Sequence, residues 1–386
     1  MPGTPIAERD ARLARVRERM QASGLDVLVL GCKGHWWTGR GHMRYLADFH
    51  LWGHDGLILV PLDGEPAVVV NSPAVAHLIA RRGWIEECYG DMLVLPKTLD
   101  LLRARGLSQA SIGTVGTHWI IPAEIARGLY EAFPRARFED ADALLDGVRM
   151  AKSPLEIAQN RELWALAQSS VERFHDVLTP GIEARALCAE PARVALAGGA
   201  RDVLMLVGDR AELYGPPDES PLRCDELVRF HMEICGESGH WCELTTTLAY
   251  RELTDAERSL MASELRARDA VQAAARPGAR LAELAATFES VLLEDGWALG
   301  EPTGHFDFHG QGQDVIEKPW FAAEQPWGGS ADSELPAGAV ISYHPRRNVV
   351  ADVSWYPGVS DNLVITEEGS EWLSHQWPHE WRESRK

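Results

Sequence analysis

Two side chains placed two residues apart are where chemistry first shows in this chain. His231 and Glu233 lie in the stretch Glu226–Tyr250, which reads as two strands, Leu227–Cys235 and His240–Ala249, turned at Gly236-Glu237-Ser238-Gly239. The turn residues tolerate φ > 0, and β-branched threonines dominate the second strand. A spacing of two sends both side chains off the same strand face, and Glu243 can lie opposite them after the turn. Three potential ligands converging from one hairpin are a better sign of a metal site than any of them alone. The plainer alternative is a hairpin with one solvated face, since charged residues on exposed strands are common. Cys235 and Cys242 flank the turn; a thiolate ligand is conceivable there, but buried inert cysteine is the commoner role.

Three further clusters follow toward the C-terminus. In Gly304–Lys318, His305 and His309 are four apart, which makes them one helical turn apart or neighbours on a turning loop. Gly310 and Gly312 allow close backbone approach immediately after His309. Among 14 histidines an HxxxH pair arises readily by chance, so its weight comes from its position. The strand Val340–Pro345 alternates Ile341 and Tyr343 with Ser342 and His344, and Arg346-Arg347 follow. The last cluster, Gly358-Val359-Ser360-Asp361-Asn362, precedes the strand Leu363–Thr366. Nearer the N-terminus, the loop Gly31–Asp55 carries His35, His42, His50, His54, Arg40, Arg44 and three tryptophans. Glycine hinges with aromatic and basic residues suit a binding loop. They equally suit an interdomain or subunit contact.

The elements that must position these groups read as two domains, residues 1–150 and 151–386, within a chain of 386 residues. The first reads as a small α/β unit. A helix Ile6–Ser23 precedes a strand Leu25–Leu30, and Gly56–Asn71 gives two strands around an Asp-Gly turn. Helices follow at Pro73–Arg82, Leu99–Arg105 and Pro122–Ala132, with short strands at Met92–Leu95 and Ser111–Val115. The second domain opens at Ser153, an N-cap with Pro154 at the first helical position and Glu156 at the third. Helices are expected over Leu155–Val177, Ile182–Ala197, Glu252–Ala275 and Leu281–Asp295, and strands at Val203–Val207, Ala339–His344 and Asn362–Thr366. Long loops over Gly208–Cys224 and Trp320–Gly338 fit the border of an active site. The tail Ser370–Lys386 has three tryptophans and should pack on the body.

A formal charge of −19 argues against nucleic acid or an anionic membrane as the main partner. No run of about 18 apolar residues is present to span a bilayer, and the N-terminus lacks a signal-type apolar core. Six scattered cysteines without CxxC spacing fit reduced thiols in a cytoplasmic protein.

The order of these motifs carries a resemblance. The helix KSPLEIAQ, a hairpin with acidic groups, the His-Gly-x-Gly loop, a strand ending in x-Pro, and GVSDNLVIT before an acidic-Gly turn resemble the catalytic domain of the pita-bread superfamily. Its members include prolidases, aminopeptidases, creatinase and metal-dependent dimethylsulfoniopropionate lyases. Arg44-Tyr45-Leu46-Ala47-Asp48-Phe49 is similar to a segment of their N-terminal domains, so the resemblance covers essentially the whole chain. It implies an α/β (α+β) protein: a creatinase-like N-terminal α/β domain, a C-terminal pita-bread domain, and a homodimer.

The resemblance also implies site residues. The dinuclear peptidases of the superfamily use Asp, Asp, His, Glu, Glu. Glu243 stands at the second Asp, in CELTTT, and His309 matches the ligand histidine in FHGQG. The first Asp falls on Met232 at peptidase spacing; at the tighter spacing of the lyases, two acids fall on His231 and Glu233. His344 replaces the first Glu and Ser360 the second, with Asp361 beside it. His305 matches a histidine that contacts substrate, and Tyr214 is the nearest candidate for the proton-handling histidine before the hairpin.

Loss of both glutamates argues against ordinary two-metal aminopeptidase chemistry, which needs carboxylates to bridge two cations. The remaining His231, Glu233, Glu243, His309 and His344 suit one Zn, Fe, Mn or Ni ion. The expectation is an enzyme acting on a small amino-acid-like or carboxylate-bearing molecule, cleaving a C–N, C–S or C–O bond as a hydrolase or lyase. Glu243 or Glu233 would act as base and His305 would support developing charge. Arg346 or Arg347, or Arg40 and Arg44 from a partner subunit, would bind a carboxylate, with Asp361 a further substrate contact. The alternatives are oxidative chemistry at a mononuclear non-haem iron, a metal-free creatinase-like hydrolase, and a non-catalytic scaffold.

Overall fold

The computed structural model describes residues 4–35, 38–210, 213–302, 308–321, 332–345, 347–350, 358–374, 377 and 379–384. The chain forms two compact units. The first is Met1–Arg149 together with Gln313–Val315; the second is Met150–Gly312 and Ile316–Lys386. The short excursion at 313–315 has no counterpart in a boundary drawn at 150/151.

The first unit begins with α1 (Ile6–Ala22), β1 (Val27–Lys33), α2 (Arg40–Ala47), β2 (Asp55–Pro61), β3 (Ala67–Val70) and α3 (Pro73–Arg82). It continues through β4 (Glu87–Gly90), α4 (Val94–Ala104), β5 (Ser111–Val115), α5 (Ala123–Ala132), β6 (Arg137–Asp140) and α6 (Asp142–Met150). Its six strands form one mixed sheet in the order β4-β3-β2-β1-β5-β6. β1 is buried on both faces, as near-continuous Val/Leu runs of a covered sheet require. Alternate residues enter two cores: Leu28 and Leu30 in one, Val27 and Val29 in the other.

Two expectations fail here. The stretch Gly31–Asp55 is not one loop, because α2 lies within it. That helix has eight residues, a left-handed Gly39 at its N-cap and no capping side chain, so it carries few local signals. Residues Met92–Leu95 are not a strand either. The strand is Glu87–Gly90, and Val94 already begins α4, where Pro96 is tolerated in the first turn.

The second unit contains α7 (Pro154–Val177), α8 (Ala184–Ala197), β7 (Asp202–Gly208), β8 (Val228–Cys235), β9 (Trp241–Ala249), α9 (Asp255–Ala274) and α10 (Leu281–Glu294). Its remaining strands are β10 (Ala298–Pro302), β11 (Phe308–Gly310), β12 (Glu317–Phe321), β13 (Val340–Tyr343), β14 (Arg347–Val350), β15 (Asp361–Ile365), β16 (Ser370–Trp372) and β17 (Arg382–Glu383). The Ser153 capping box forms: its hydroxyl accepts from the Glu156 N–H at 3.2 Å, and the Glu156 carboxylate accepts from the Ser153 N–H at 2.9 Å.

Two sheets matter for the site. One has the order β17-β9-β8-β7 and the other β12-β11-β13-β15-β16. They meet where Thr245 of β9 bridges Ser360, just before β15. Trp164, Phe174 and Leu187 of α7 and α8 share a core with Phe230, Met232, Ile234, Cys242 and Leu244 of the β8–β9 hairpin. Leu281, Leu284 and Phe288 of α10 share another with Phe308, Ile341, Tyr343 and Leu363. The tail packs as expected, with Trp372, Trp377 and Trp381 all buried. No helix among the described residues is long and apolar enough to cross a membrane.

Candidate active site

The hairpin register decides which side chains meet. β8 and β9 pair antiparallel with Arg229 opposite Thr247, His231 opposite Thr245 and Glu233 opposite Glu243. Directly opposed residues project to the same face. Odd-numbered residues therefore form one face and even-numbered ones the other, where Phe230, Met232, Ile234, Cys242 and Leu244 enter the helix-covered core. That parity rules out Cys242 as a ligand beside Glu243. Burial, with the nearby Glu243 charge second, holds its thiol well above the ordinary range.

His231, Glu233 and Glu243 each have a ligand atom within 4.8 Å of the others, and all three are buried. Glu243, His309 and His344 form a second group of the same kind. Glu243 is common to both. The Glu243 Oε1 to His344 Nε2 distance is 3.6 Å, and the His309 and His344 rings are 4.9 Å apart at 58°. His309 sits on β11 opposite Ser342, and His344 follows directly after β13. His309 is thus a strand residue, not half of a helical HxxxH pair.

Several hydrogen bonds orient these groups. A line of side chains runs from Ser360 Oγ to Thr245 Oγ1 at 2.6 Å, on to His231 Nδ1 at 2.9 Å, and from His231 Nε2 to Glu233 Oε1 at 3.0 Å. Ser360 thereby supports His231 through Thr245. His309 Nδ1 lies 2.8 Å from the Gly310 carbonyl. A proton on Nδ1 donates there and places the ring lone pair at Nε2, the arrangement usual for a ligating histidine. The Glu243 N–H donates to Asn362 Oδ1 at 3.1 Å, and Trp164 Nε1 donates to the same oxygen at 3.2 Å. Asn362 in turn donates to Gln311 Oε1. Two sheets and α7 are pinned together behind the cluster.

The electrostatics ask for a cation. Glu233 and Glu243 are 8% and 2% exposed and face each other across the hairpin. Like charges in that arrangement are destabilising, more so away from water. Among the described residues, buried Glu233 Oε2 has no hydrogen-bond partner. A divalent ion fits this donor set: two carboxylates offset its charge, and imidazole and carboxylate suit Zn, Mn, Fe and Ni alike.

Asp361 is buried but belongs to the opposite face of β15: it accepts from Arg268 Nη2 at 3.3 Å and lies 2.8 Å from His379 Nε2. Its neighbours Ser360 and Asn362 face the cluster, and alternation turns Asp361 away. That corrects the substrate contact expected of it. Tyr214 is half-buried, with the Arg229 guanidinium 4.6 Å over its ring. In the first unit, Arg40 Nη2 donates to the Gly34 carbonyl at 3.2 Å, and Arg44 pairs with Asp48 at 3.4 Å. His305 and Arg346 lie outside the described residues, as does the side chain of Arg347. Thr245 and Arg229 are not singled out from sequence, although counting by twos from His231 and Glu243 reaches both.

Comparison with known proteins places the chain. A model of metallopeptidase family M24 matches residues 158–367, and one of the creatinase/prolidase N-terminal domain matches 12–151. The chain belongs to the M24 family, with the pita-bread fold, and is an enzyme of the hydrolase class. It is 24% identical over 405 residues to an ectoine hydrolase from Halomonas elongata, covering 95% of each chain. Its fold is similar to that of a dipeptidase PepE from Mycobacterium ulcerans, with a TM-score of 0.80, 21% identity and 99% of each chain covered. An Xaa-Pro dipeptidase from Bacillus anthracis gives a TM-score of 0.77 at 20% identity, over 97% of this chain and 100% of that one.

Proposed function

We propose that this chain is a non-peptidase hydrolase of the M24 family that cleaves a C–N bond in a small carboxylate-bearing molecule, using a divalent metal centred on Glu243. The observation that carries the reading is the shared position of Glu243 between two buried ligand groups, one with His309 and His344 and one with His231 and Glu233. The replacement of two family glutamates by His344 and Ser360 favours it over dipeptidase chemistry. So does the similarity, along nearly the full length, to a protein named ectoine hydrolase.

Bound here, a metal would supply Lewis acidity and make a water more acidic. The chain's own groups do the rest. His309 and His344 present ring nitrogens toward Glu243, and Thr245 fixes the tilt of His231. Glu233 Oε2 takes a proton from the attacking water, while the contact of Glu233 Oε1 with His231 Nε2 holds the carboxyl group in place. Glu233 then gives that proton to the departing nitrogen as the C–N bond breaks, so the base ends ionised as it began. A metal-free route has one specific support, the 3.0 Å His231–Glu233 contact, which makes a proton-handling pair without any ion. A homodimer in a reducing cytoplasm is proposed from the family resemblance and the six scattered cysteines without CxxC spacing; light scattering tests the dimer.

The test is turnover of ectoine and of glycyl-L-proline by protein stripped with chelator and reloaded with Zn, Mn, Fe or Ni in turn. The reading predicts that ectoine disappears only after reloading and that the dipeptide is spared. Dipeptide cleavage at a comparable rate would return the chain to the peptidases, and ectoine loss unaffected by chelation would support the metal-free route.

A further inference from the structure

We propose that Arg229, with Thr247 and the ring of Tyr214, forms a carboxylate-binding subsite one rung beyond the metal-ligand rungs of the hairpin. The inference rests on the hydrolase reading above and adds which residues hold the substrate's carboxylate.

Register places the subsite. Arg229 is directly opposite Thr247 on β9 and opposite Gly208 on β7. It follows the parity of His231 and Glu233, so its side chain leaves the sheet on the same face. Two residues of strand span about 6.6 Å, so the Arg229 rung lies about that far from the His231–Thr245 rung and about 13 Å, within the reach of its long side chain and a small molecule, from the Glu233–Glu243 rung. Thr247 has the same relation to Thr245 and Glu243.

The polar groups there point to a ligand. Among the described residues, buried Arg229 Nε and buried Thr247 Oγ1 have no hydrogen-bond partner. A desolvated guanidinium donor and a hydroxyl left without partners on facing residues cost stability in the empty state. A ligand oxygen would satisfy both. The guanidinium stands 4.6 Å over the Tyr214 ring, which covers one of its flat faces and leaves the in-plane donors as the binding edge. Tyr214 is held there by backbone. A Cβ on Gly208 would come within 2.7 Å of Tyr214 Cα, and Val207 and Gly215 exchange hydrogen bonds of 2.9 and 3.3 Å on either side. Glycine at 208 is what lets that backbone lie so close. The planar edge of an arginine matches a carboxylate two-for-two, and Thr247 supplies a third bond to the same group. On this face of the hairpin Glu233 and Glu243 share one rung, two rungs from Arg229, and are committed to the metal cluster and to His231.

The experiment compares acids with their amides. Ectoine, L-proline and glycyl-L-proline, each against its primary carboxamide, are titrated calorimetrically into wild type, Arg229→Gln, Arg229→Lys and Thr247→Val, with melting midpoint and metal content recorded for each protein. We expect wild type to bind at least one acid about tenfold or more tightly than its amide, Arg229→Gln to erase the difference, and Thr247→Val to shrink it about threefold. Should Arg229→Gln fail to fold, Arg229→Lys decides, since it keeps the charge but loses the fork and must shrink the preference. Wild type binding no acid, or acid and amide equally, overturns the subsite. So does a wild-type preference retained in Arg229→Gln or, where that variant is unfolded, in Arg229→Lys. An Arg229-dependent acid preference in a protein without metal or turnover would leave the subsite standing and sink the hydrolase reading instead.

Discussion

The two faces of the β8–β9 hairpin are both buried, yet they have been built for opposite ends. One carries Phe230, Met232, Ile234, Cys242 and Leu244 into the core beneath α7 and α8. The other carries His231, Glu233, Glu243, Thr245 and Thr247, every one of them buried as well. Apolar burial stabilises a fold by itself. Burial of two facing carboxylates does the reverse unless something neutralises them. The contrast locates the site more sharply than any single motif, because a stability argument explains one face and only a binding argument explains the other.

Substitutions on the two faces should therefore separate stability from chemistry. The largest functional effect is expected from Glu243→Gln, which touches both ligand groups. Metal affinity should fall by more than the 10–100-fold that loss of an outer-shell partner costs, with the melting midpoint held or raised as the opposed charges are relieved. His309→Ala and His344→Ala should each lose metal as well; either one retaining wild-type metal would remove that histidine from the site. On the apolar face, Leu244→Ala should cost about 2–5 kcal/mol in denaturant unfolding while metal content per folded molecule stays unchanged. Ser360→Ala sits between the two cases. It removes the support of Thr245 and His231, and about a tenfold loss of metal affinity with little change in stability is expected.

The smallest effect concerns pH. His175 of α7 contacts Thr246 Oγ1 on the apolar side of the hairpin at 2.9 Å. Burial, with Arg382 second, pushes it from 6.5 to about 3. The unfolded chain takes up this proton near its ordinary value and the folded chain does not, so the contribution is intact above pH 6.5 and is lost as pH falls toward 3. The slope is up to about 1.4 kcal/mol per pH unit. The melting midpoint of wild type should fall more steeply than that of His175→Gln between pH 6.5 and 4; parallel curves would contradict it.

How much of this was legible depended on period. The hairpin could be read because its alternation and Gly-rich turn are local, but a turn over 236–239 would set Glu233 opposite Cys242; the structure pairs Cys235 with Trp241 and so Glu233 with Glu243. The capped helix expected over Leu155–Val177 was equally plain and is found at Pro154–Val177. α2 was not, because it is short, starts on a left-handed glycine and lacks a capping side chain. The spacing of His309 from His305 fits a helical turn or a turning loop, yet its strand is defined by non-local partners, Trp320 on β12 and Ser342 on β13. Asp361 was misplaced by one step of parity, the error a strand punishes most. Arg229 was passed over because it matches no motif, although it shares the parity of His231.

Diffraction data collected at the absorption edge of the reloaded metal test the central claim most directly. The account predicts an anomalous peak in contact with Glu243 and with His309 and His344 ring nitrogens, absent in Glu243→Gln. A peak elsewhere, or none in protein that turns over substrate, would contradict it.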